Sequence, residues 1–216
     1  MAVALHLYPT AELAPRALLP GDPGRALTLA QLLLDGPRMF NHARGLWGYT
    51  GTAADGEPLT IQATGIGGAS TAAVLEDLAG LGLEVALRAG TCRANSPEPA
   101  LGTILTVGLA QAQDGISVAA GTARVRPDAE YAGDAVVLSC DRLGSEPFHA
   151  APVADRTTAP FLVVARELGL RCGALLAVTS DASGARLDEE GLVAAERALG
   201  HAAAGLLGVP ARVEVA

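Results

Sequence analysis

Residues 17–34, ALLPGDPGRALTLAQLLL, place a short apolar strand, a glycine-containing turn and a helix in direct succession. Asp22 suits the N-cap of that helix, and Pro23 suits its first position, where a missing N–H costs nothing. Strands and helices alternate in the same way along the chain. Several of the strands are apolar throughout, as is typical of strands covered on both faces. The sequence therefore predicts an α/β fold, a single domain over residues 1–216 with a central mixed β-sheet flanked by helices.

The other predicted elements follow from apolar runs bounded by Gly, Pro and Asp. Strands are predicted at 17–20, 49–54, 59–64, 84–89, 103–110, 136–139 and 174–179, and helices at 23–34, 70–81, 158–168 and 189–207. The pair 49–54 and 59–64 forms a hairpin around Asp55 and Gly56. Residues 119–155 have the least regular pattern.

The basic residues restrict the possible chemistry. The chain has 216 residues, a net charge of −8 and 15 basic residues, all of which are arginine. The absence of lysine excludes Schiff-base enzymes, pyridoxal enzymes and Walker A phosphate loops. The acidic balance argues against nucleic acid as a partner. We therefore expect any bound anion to be small and to be held by arginine.

The cysteines indicate the compartment. Cys92, Cys140 and Cys172 show no spacing typical of a metal site, and we expect them to be buried free thiols. This predicts a reducing, cytoplasmic location. The N-terminus does not resemble a signal peptide, and the apolar runs are too short to span a membrane.

Three positions could carry chemistry because they lie at predicted strand ends or helix starts. Gly21 and Arg25 could bind an oxyanion at the helix N-terminus, or form an ordinary turn with a solvated arginine. Arg88 lies in an apolar strand and needs an anionic partner, which could be a ligand or an internal carboxylate. Asp181 could be a general acid or could cap the following turn.

Five segments in a fixed order are more specific than any one of these positions. They are residues 19–26 (LPGDPGRA), 40–45 with 48–51 (FNHARG and GYTG), 64–71 (TGIGGAST), 88–91 (RAGT) and 102–117, which ends in DGIS. In this order they resemble the nucleoside phosphorylase family that contains uridine phosphorylase and the hexameric bacterial purine nucleoside phosphorylase. The resemblance runs from residue 6 to about 110, and again from about 159 to 207.

The resemblance implies a phosphate site that two subunits share. The implied ligands are Gly21, Arg25, Arg88 and Thr91, with Arg44 contributed by the adjacent subunit. Several arginines and backbone donors are what a phosphate dianion needs to offset its desolvation. The chain is accordingly expected to form a homo-oligomer, a dimer or a hexamer built of dimers.

The resemblance also implies residues for the nucleoside. His6 matches a histidine, lent by the neighbouring subunit, that contacts the ribose 5′-hydroxyl. Asp181 matches the acid that protonates the departing base in the purine enzymes, and Arg197 matches the arginine that assists it. Uridine phosphorylases lack this aspartate, so the two halves of the chain point to different subfamilies.

The nucleoside half departs from the family pattern. The Met-Glu pair that grips the ribose falls at Arg156 and Thr157, and the base-stacking Phe falls at Leu143. The stretch between Ser117 and Asp155 is also short, which makes this a shortened and divergent relative. Loss of the glutamate that takes the 2′-hydroxyl suggests tolerance of 2′-deoxy sugars.

Three functions remain open from the sequence. The first is phosphorolysis of a nucleoside to a free base and a (deoxy)ribose 1-phosphate, with inorganic phosphate as co-substrate and no cofactor or metal. The second is hydrolysis of a nucleoside by water. The third is a degenerate member that binds phosphate or a phosphorylated ligand without turnover. Phosphate dependence of base release distinguishes them.

Overall fold

The computed structural model describes residues 4–113, 124–143 and 151–210. Four helices are α1 (Pro23–Leu33), α2 (Gly67–Gly80), α3 (Thr158–Glu167) and α4 (Glu189–Leu206). The strands are β1 (Arg16–Leu19), β2 (Asp35–Asn41), β3 (Gly48–Thr52), β4 (Pro58–Gln62), β5 (Val85–Ala94), β6 (Ile104–Ala112), β7 (Arg124–Val125), β8 (Ala135–Ser139), β9 (Val153–Asp155) and β10 (Arg171–Asp181). Short 3₁₀ helices lie at Ala43–Gly45 and Ala129–Tyr131. The predicted α/β class is confirmed.

The strands form one mixed sheet in which part of the sheet closes on itself. The order is β10-β6-β8-β9-β5-β1-β4-β3-β2, and β10 also pairs with β5. Strands β5, β10, β6, β8 and β9 therefore form a ring. From β5 the sheet continues outward through β1 and the β3–β4 hairpin to β2. The register of β2 on β3 shifts twice, between Asp35 and Arg38 and between Met39 and Asn41.

Successive side chains of the central strands point to opposite faces of the sheet, as the pleat requires. Leu18 of β1 belongs to the apolar layer that contains Leu29 of α1 and Leu199 of α4. Leu19 belongs to the layer that contains Leu75 of α2 and residues of α3. Both faces of β1 and β5 are thus covered, which explains why these strands are apolar throughout.

The observed elements differ from the predicted ones in several respects, and the short strands β7 and β9 lie in the stretch whose pattern was least regular. Strand β5 extends to Ala94 and β10 to Asp181, so the residues predicted to follow these strands lie within them. Helix α2 begins at Gly67, within the predicted glycine loop. Strand β2 was not predicted, because it begins with Asp-Gly-Pro and is mostly exposed, and such residues are depleted in strands.

The cysteines are buried free thiols, as predicted. Burial raises the pKa of Cys172 to about 12, and it raises the pKa of Cys92 further. Both groups are therefore protonated at neutral pH, which makes them poor nucleophiles. In the described part of the chain, every helix is too short or too polar to cross a bilayer.

Candidate active site

A cavity of about 390 Å³ opens beside β1, β5, β9 and β10. The residues that line it include four of the predicted phosphate ligands, Gly21, Arg25, Arg88 and Thr91. They also include the three positions that depart from the family pattern, Leu143, Arg156 and Thr157. The fold thus brings these four predicted ligands and the three divergent positions to one cavity, although residues 91 and 143 are more than fifty positions apart in the chain.

The turn between β1 and α1 forms one wall of this cavity. Asp22 is the N-cap of α1, and its Oδ1 accepts a hydrogen bond from the backbone N of Arg25 at 2.8 Å. A Cβ atom at Gly21 would lie 3.1 Å from the carbonyl oxygen of Gly65, so a side chain here would crowd the neighbouring loop. A bare backbone at a helix N-terminus is a suitable surface for an anion.

Arg25 is held in place by helix α4. Its Nε lies 3.0 Å from Oε1 of Glu196, and both side chains are mostly buried. This hydrogen bond uses Nε. Within the described residues, the N–H groups of the two Nη atoms therefore remain available to donate to another acceptor. The alternative of a solvated arginine at an ordinary turn is therefore not what the structure shows.

Arg88 has an internal carboxylate partner, one of the two alternatives that the sequence left open. Its side chain is buried, with Nη2 3.0 Å from Oδ2 of Asp155 and Nε 3.1 Å from Oγ1 of Thr158. Burial lowers the pKa of Arg88, and the charge of Asp155 opposes that shift. A guanidinium so paired stays charged at neutral pH. Arg88 nevertheless lines the cavity, so the internal pair and a bound anion can share it.

Asp155 is the functional candidate that sequence reasoning missed. Its Oδ1 accepts a hydrogen bond from Ser139 Oγ at 2.6 Å, and its Oδ2 accepts one from Thr158 Oγ1 at 2.6 Å. The backbone N of Thr158 also donates to this carboxylate, at 3.0 Å. The sequence does contain a signal for it: Asp155 ends an apolar strand and lies three residues before Thr158, the first residue of a helix.

Gly90 explains how β5 accommodates the Arg88 side chain. A Cβ atom at Gly90 would lie 2.6 Å from Nη2 and 2.7 Å from Cζ of Arg88. Real Cβ atoms do not approach other heavy atoms this closely, so the guanidinium occupies space that only a glycine leaves open. The pattern Arg-x-Gly is therefore a packing requirement of this buried arginine.

The positions that depart from the family pattern form another part of the wall. Thr157 is buried and occupies the N-cap position of α3, and its side chain does not bond to the helix. Arg156 is partly buried, and its Nη1 donates a hydrogen bond to the backbone carbonyl of Asp141. Leu143 lies on the same wall, where the resemblance places an aromatic side chain.

Asp181 does not line the cavity, whose wall ends at Ser180. Its Oδ1 accepts hydrogen bonds from Ser183 Oγ at 2.7 Å, Ser183 N at 2.8 Å and Ala185 N at 3.0 Å. The Ser183 hydroxyl holds the pKa of Asp181 below its usual range, with the backbone donors adding to the effect. This is the turn-capping geometry, and a lowered pKa opposes use as a general acid.

Arg197 is also away from the cavity. It lies on α4 beside Glu189, Glu190 and Val193, in a separate surface depression. The structure therefore does not bring Asp181 and Arg197 to the wall that holds Arg88.

His6 and Arg44 lie on the outer surface rather than in this cavity. Asp77 fixes the segment that carries His6, since its carboxylate accepts the backbone N–H groups of Leu5, His6 and Leu7 at 2.7–2.9 Å. Arg44 is exposed and has a left-handed backbone, with φ 59° and ψ 15°. A non-glycine residue in this region is uncommon and is often found at functional sites.

Sequence comparison finds relatives that include purine nucleoside phosphorylases and a uridine phosphorylase. A purine nucleoside phosphorylase of the DeoD type from Geobacillus kaustophilus is 41% identical over 90 residues, which are 41% of this chain and 38% of that protein. A uridine phosphorylase from Haemophilus influenzae is 38% identical over 104 residues, which are 48% of this chain and 40% of that protein. The matched region thus spans about four tenths of these relatives. No family model matches the chain.

Solved structures of similar fold cover most of the chain. Uridine phosphorylase from Vibrio fischeri, complexed with 6-hydroxy-1-naphthoic acid, superposes with a TM-score of 0.80 at 21% identity, over 91% of this chain and 92% of that one. Purine nucleoside phosphorylase from Toxoplasma gondii, in complex with immucillin-H, superposes with a TM-score of 0.77 at 18% identity, over 96% of this chain and 99% of that one. Sequence and fold thus point to the same group of proteins, as the five motifs predicted.

Proposed function

We propose that this chain, a divergent relative of the nucleoside phosphorylases in sequence and fold, cleaves nucleosides with inorganic phosphate. The products would be a free base and a pentose 1-phosphate. The observation that carries the proposal is the grouping of Gly21, Arg25, Arg88 and Thr91 around one cavity. Water as the nucleophile would need none of these groups, so the grouping favours phosphorolysis over hydrolysis.

The chemistry assigns clear tasks to these residues. A phosphate oxygen forms a bond to the anomeric carbon as the bond from that carbon to the base nitrogen breaks. Positive charge develops on the sugar, and the dianion that Arg25 and Arg88 hold beside it stabilises that charge. Arg88 is fixed by Asp155 and Arg25 by Glu196, so both guanidinium groups are oriented before phosphate arrives.

The departing base needs a proton, and Asp181 stays the predicted donor. In this structure its carboxylate is bound to Ser183 and Ala185, so it would have to exchange those bonds for the base. The geometry favours the capping role, and solvent would then protonate the base. The role of Arg197 as the residue that assists Asp181 also stays a prediction.

A second copy of the chain completes this proposal, because His6 and Arg44 lie outside the cavity. The surface around them carries exposed apolar side chains: Leu5, Tyr8, Met39, Trp47 and Ile66. Such a patch is typical of a protein interface. The N-terminal segment lies against β2, since Thr10 Oγ1 donates to the carbonyl of Met39 and the backbone N of Tyr8 donates to Oδ1 of Asn41. We therefore propose a homo-oligomer in which this patch packs against a partner. A species that stays monomeric in light scattering at assay concentration would contradict it.

The test is base release from a panel of purine and pyrimidine ribonucleosides and deoxyribonucleosides, with and without inorganic phosphate. Phosphate-dependent release supports the proposal and names the base. Release without phosphate indicates a hydrolase. Phosphate binding by calorimetry without any base release indicates the degenerate, ligand-binding alternative. The observation that favours this alternative is Thr157, which stands where the resemblance places the ribose-binding glutamate.

A further inference from the structure

We infer that Asn41 is a positioning residue for the groups that a second copy of the chain would bring to this cavity. Its side chain joins the two surface segments that carry His6 and Arg44. The inference rests on the proposed function, since it takes His6 and Arg44 to act in the cavity of a partner. It adds the buried residue that sets the positions of both.

The first argument is the hydrogen bonding of the Asn41 side chain. Asn41 is the last residue of β2 and is fully buried. Its Oδ1 accepts hydrogen bonds from the backbone N of Tyr8 at 2.9 Å and of Ala43 at 3.3 Å. Its Nδ2 donates to the backbone carbonyls of Leu46 at 2.5 Å and of Ala43 at 3.4 Å. A side-chain amide offers two acceptor sites and two donor hydrogens, so Asn41 uses its full bonding capacity here.

The second argument is the backbone of the turn that carries Arg44. Arg44 is exposed and has φ 59°. A non-glycine residue keeps such a left-handed conformation only where the surrounding structure determines it. Asn41 bonds to the residue before Arg44 and to the residue two positions after it. The backbone N of Leu46 also donates to the carbonyl of Ala43, at 3.0 Å. Asn41 therefore fixes both ends of the turn that presents the arginine.

The third argument is the way in which the segment that carries His6 is held. The carboxylate of Asp77 accepts the backbone N–H groups of residues 5–7, and Asn41 accepts that of residue 8. Leu7 lies between these two anchors and is buried in the core. The first anchor belongs to α2 and the second to β2. Loss of the Asn41 side chain would thus loosen the segment just after His6 and leave the Asp77 anchor in place.

The fourth argument is that one side chain serves both segments. The backbone N–H groups of Tyr8 and Ala43 meet on a single oxygen atom of Asn41, so the two segments lie side by side at the surface. Phosphate and the ribose that it attacks occupy adjacent places in one cavity, and groups that contact them must arrive with a fixed spacing. Asn41 does not line the cavity of its own chain. It would therefore act on the reaction through His6 and Arg44.

The first experiment measures the affinity for inorganic phosphate by calorimetry in Asn41→Ala, Arg44→Ala and the double variant. Asn41→Ala should bind phosphate about tenfold more weakly or worse, as loss of a charge-assisted hydrogen bond implies. If Asn41 acts through Arg44, the double variant should bind no more weakly than Arg44→Ala alone. Asn95→Ala is the matched control, because its amide donates to the carbonyl of Ala151, a residue of neither segment. It should bind phosphate as the wild type does.

The second experiment tests whether Asn41 acts in the cavity of a partner. A chain with Asn41→Ala keeps an intact cavity, and a chain with Arg25→Gln keeps intact surface segments. A hybrid dimer of the two therefore has one site in which both contributions are intact. Each variant alone should be impaired in phosphate-dependent base release. Co-expression should restore about a quarter of the wild-type activity, the share of intact sites that random pairing in a symmetric dimer gives.

Unchanged phosphate affinity in Asn41→Ala would overturn the inference, as would a double variant that binds more weakly than Arg44→Ala. Failure of the hybrid to regain activity, in a wild type that releases base with phosphate, would reject the inference and keep the proposed function. A wild type that binds phosphate without releasing base would reject the proposed function, and the calorimetric comparison would still decide the inference.

Thermal melting checks that each variant folds. If Asn41→Ala does not fold, hydrogen exchange in the wild type is the second measurement. The amides of Tyr8 and Ala43 both donate to Asn41 and should be protected together. Free exchange of either amide would overturn the inference.

Discussion

Oδ2 of Asp155 lies 3.0 Å from Nη2 of Arg88, and both side chains are buried beneath the candidate phosphate site. The two residues are 67 positions apart in the chain, so the pair links β5 to the last residue of β9. Ser139 and Thr158 bond to the same carboxylate. The pair therefore has two consequences, one for stability and one for the orientation of the arginine.

Removing the carboxylate should destabilise the protein strongly. Asp155→Ala leaves the buried Arg88 charge without its partner, a change that costs about 3–5 kcal/mol. The free energy of unfolding from urea titration measures it. Glu130→Ala is the control, since it breaks an exposed pair with Arg171 at 3.4 Å and should cost about 1 kcal/mol or less. Similar losses in both variants would contradict the importance of the buried pair.

Gly90→Ala should disturb the same arginine from the opposite side. The new methyl would meet the Arg88 guanidinium and Leu176, so the guanidinium must move. We expect inorganic phosphate to bind at least about tenfold more weakly by calorimetry, the effect of one displaced charge-assisted hydrogen bond. Gly205→Ala on α4 is the control, because nothing lies within 4 Å of its Cβ position. Unchanged phosphate affinity for Gly90→Ala would place phosphate away from Arg88.

Thr157 leads to a prediction about the sugar. The resemblance places at this position a glutamate that holds the 2′-hydroxyl, and a threonine hydroxyl offers no charged acceptor. We therefore expect 2′-deoxynucleosides to be turned over at rates comparable to, or above, those of the matching ribonucleosides. The measurement is kcat/KM for each pair at saturating phosphate. A strict preference for ribonucleosides would show that another group takes over the 2′-hydroxyl.

Asp181 can be tested against its two assigned roles. If it caps the turn, Asp181→Asn should change turnover of purine nucleosides by less than about tenfold, whereas loss of a general acid costs about 10²-fold or more. The geometry leads us to expect the smaller effect. Ser183→Ala removes the hydroxyl that donates to this carboxylate and serves as the comparison. If the acid role were correct, only the Asp181 variant would lose turnover.

Asp77 predicts a pH dependence of stability. Burial raises its pKa, but the backbone N–H groups of Leu5, Leu7 and His6 outweigh burial, so the pKa in the folded protein is lowered. Its stabilisation is therefore fully present above the unfolded pKa of about 4, and is lost as pH falls through the lower folded value. Between pH 6 and pH 3, wild type should lose more unfolding free energy than Asp77→Asn. Parallel pH profiles would show that this carboxylate does not stabilise the N-terminal segment.

Much of the fold is predictable because its signals are local. Asp22 and Pro23 define the start of α1, and Asp55 with Gly56 defines the hairpin turn, all from neighbouring residues. Strand β2 is not predictable in this way. Its exposed residues lack an apolar face, and pairing with β3 determines its structure.

Four predicted phosphate ligands, Gly21, Arg25, Arg88 and Thr91, do line the cavity, but the partners of the arginines were not predictable from the sequence. The sequence indicated that Arg88 needs an anion, yet the choice between ligand and carboxylate depends on Asp155, far along the chain. Arg44 and His6 are outside the cavity in one chain, and their predicted roles stay predictions because they need a partner. The structure does not describe residues 114–123, which include the end of one family motif at 114–117.

Strand β2 limits how copies of this protein can join. It is the outer strand of the sheet, yet its two register shifts and Pro37 interrupt the row of backbone groups that another strand would need. A second copy docking at this edge must therefore pack through side chains such as Met39, and cannot continue the hydrogen-bonded ladder. This edge is thereby protected against open-ended strand-to-strand aggregation.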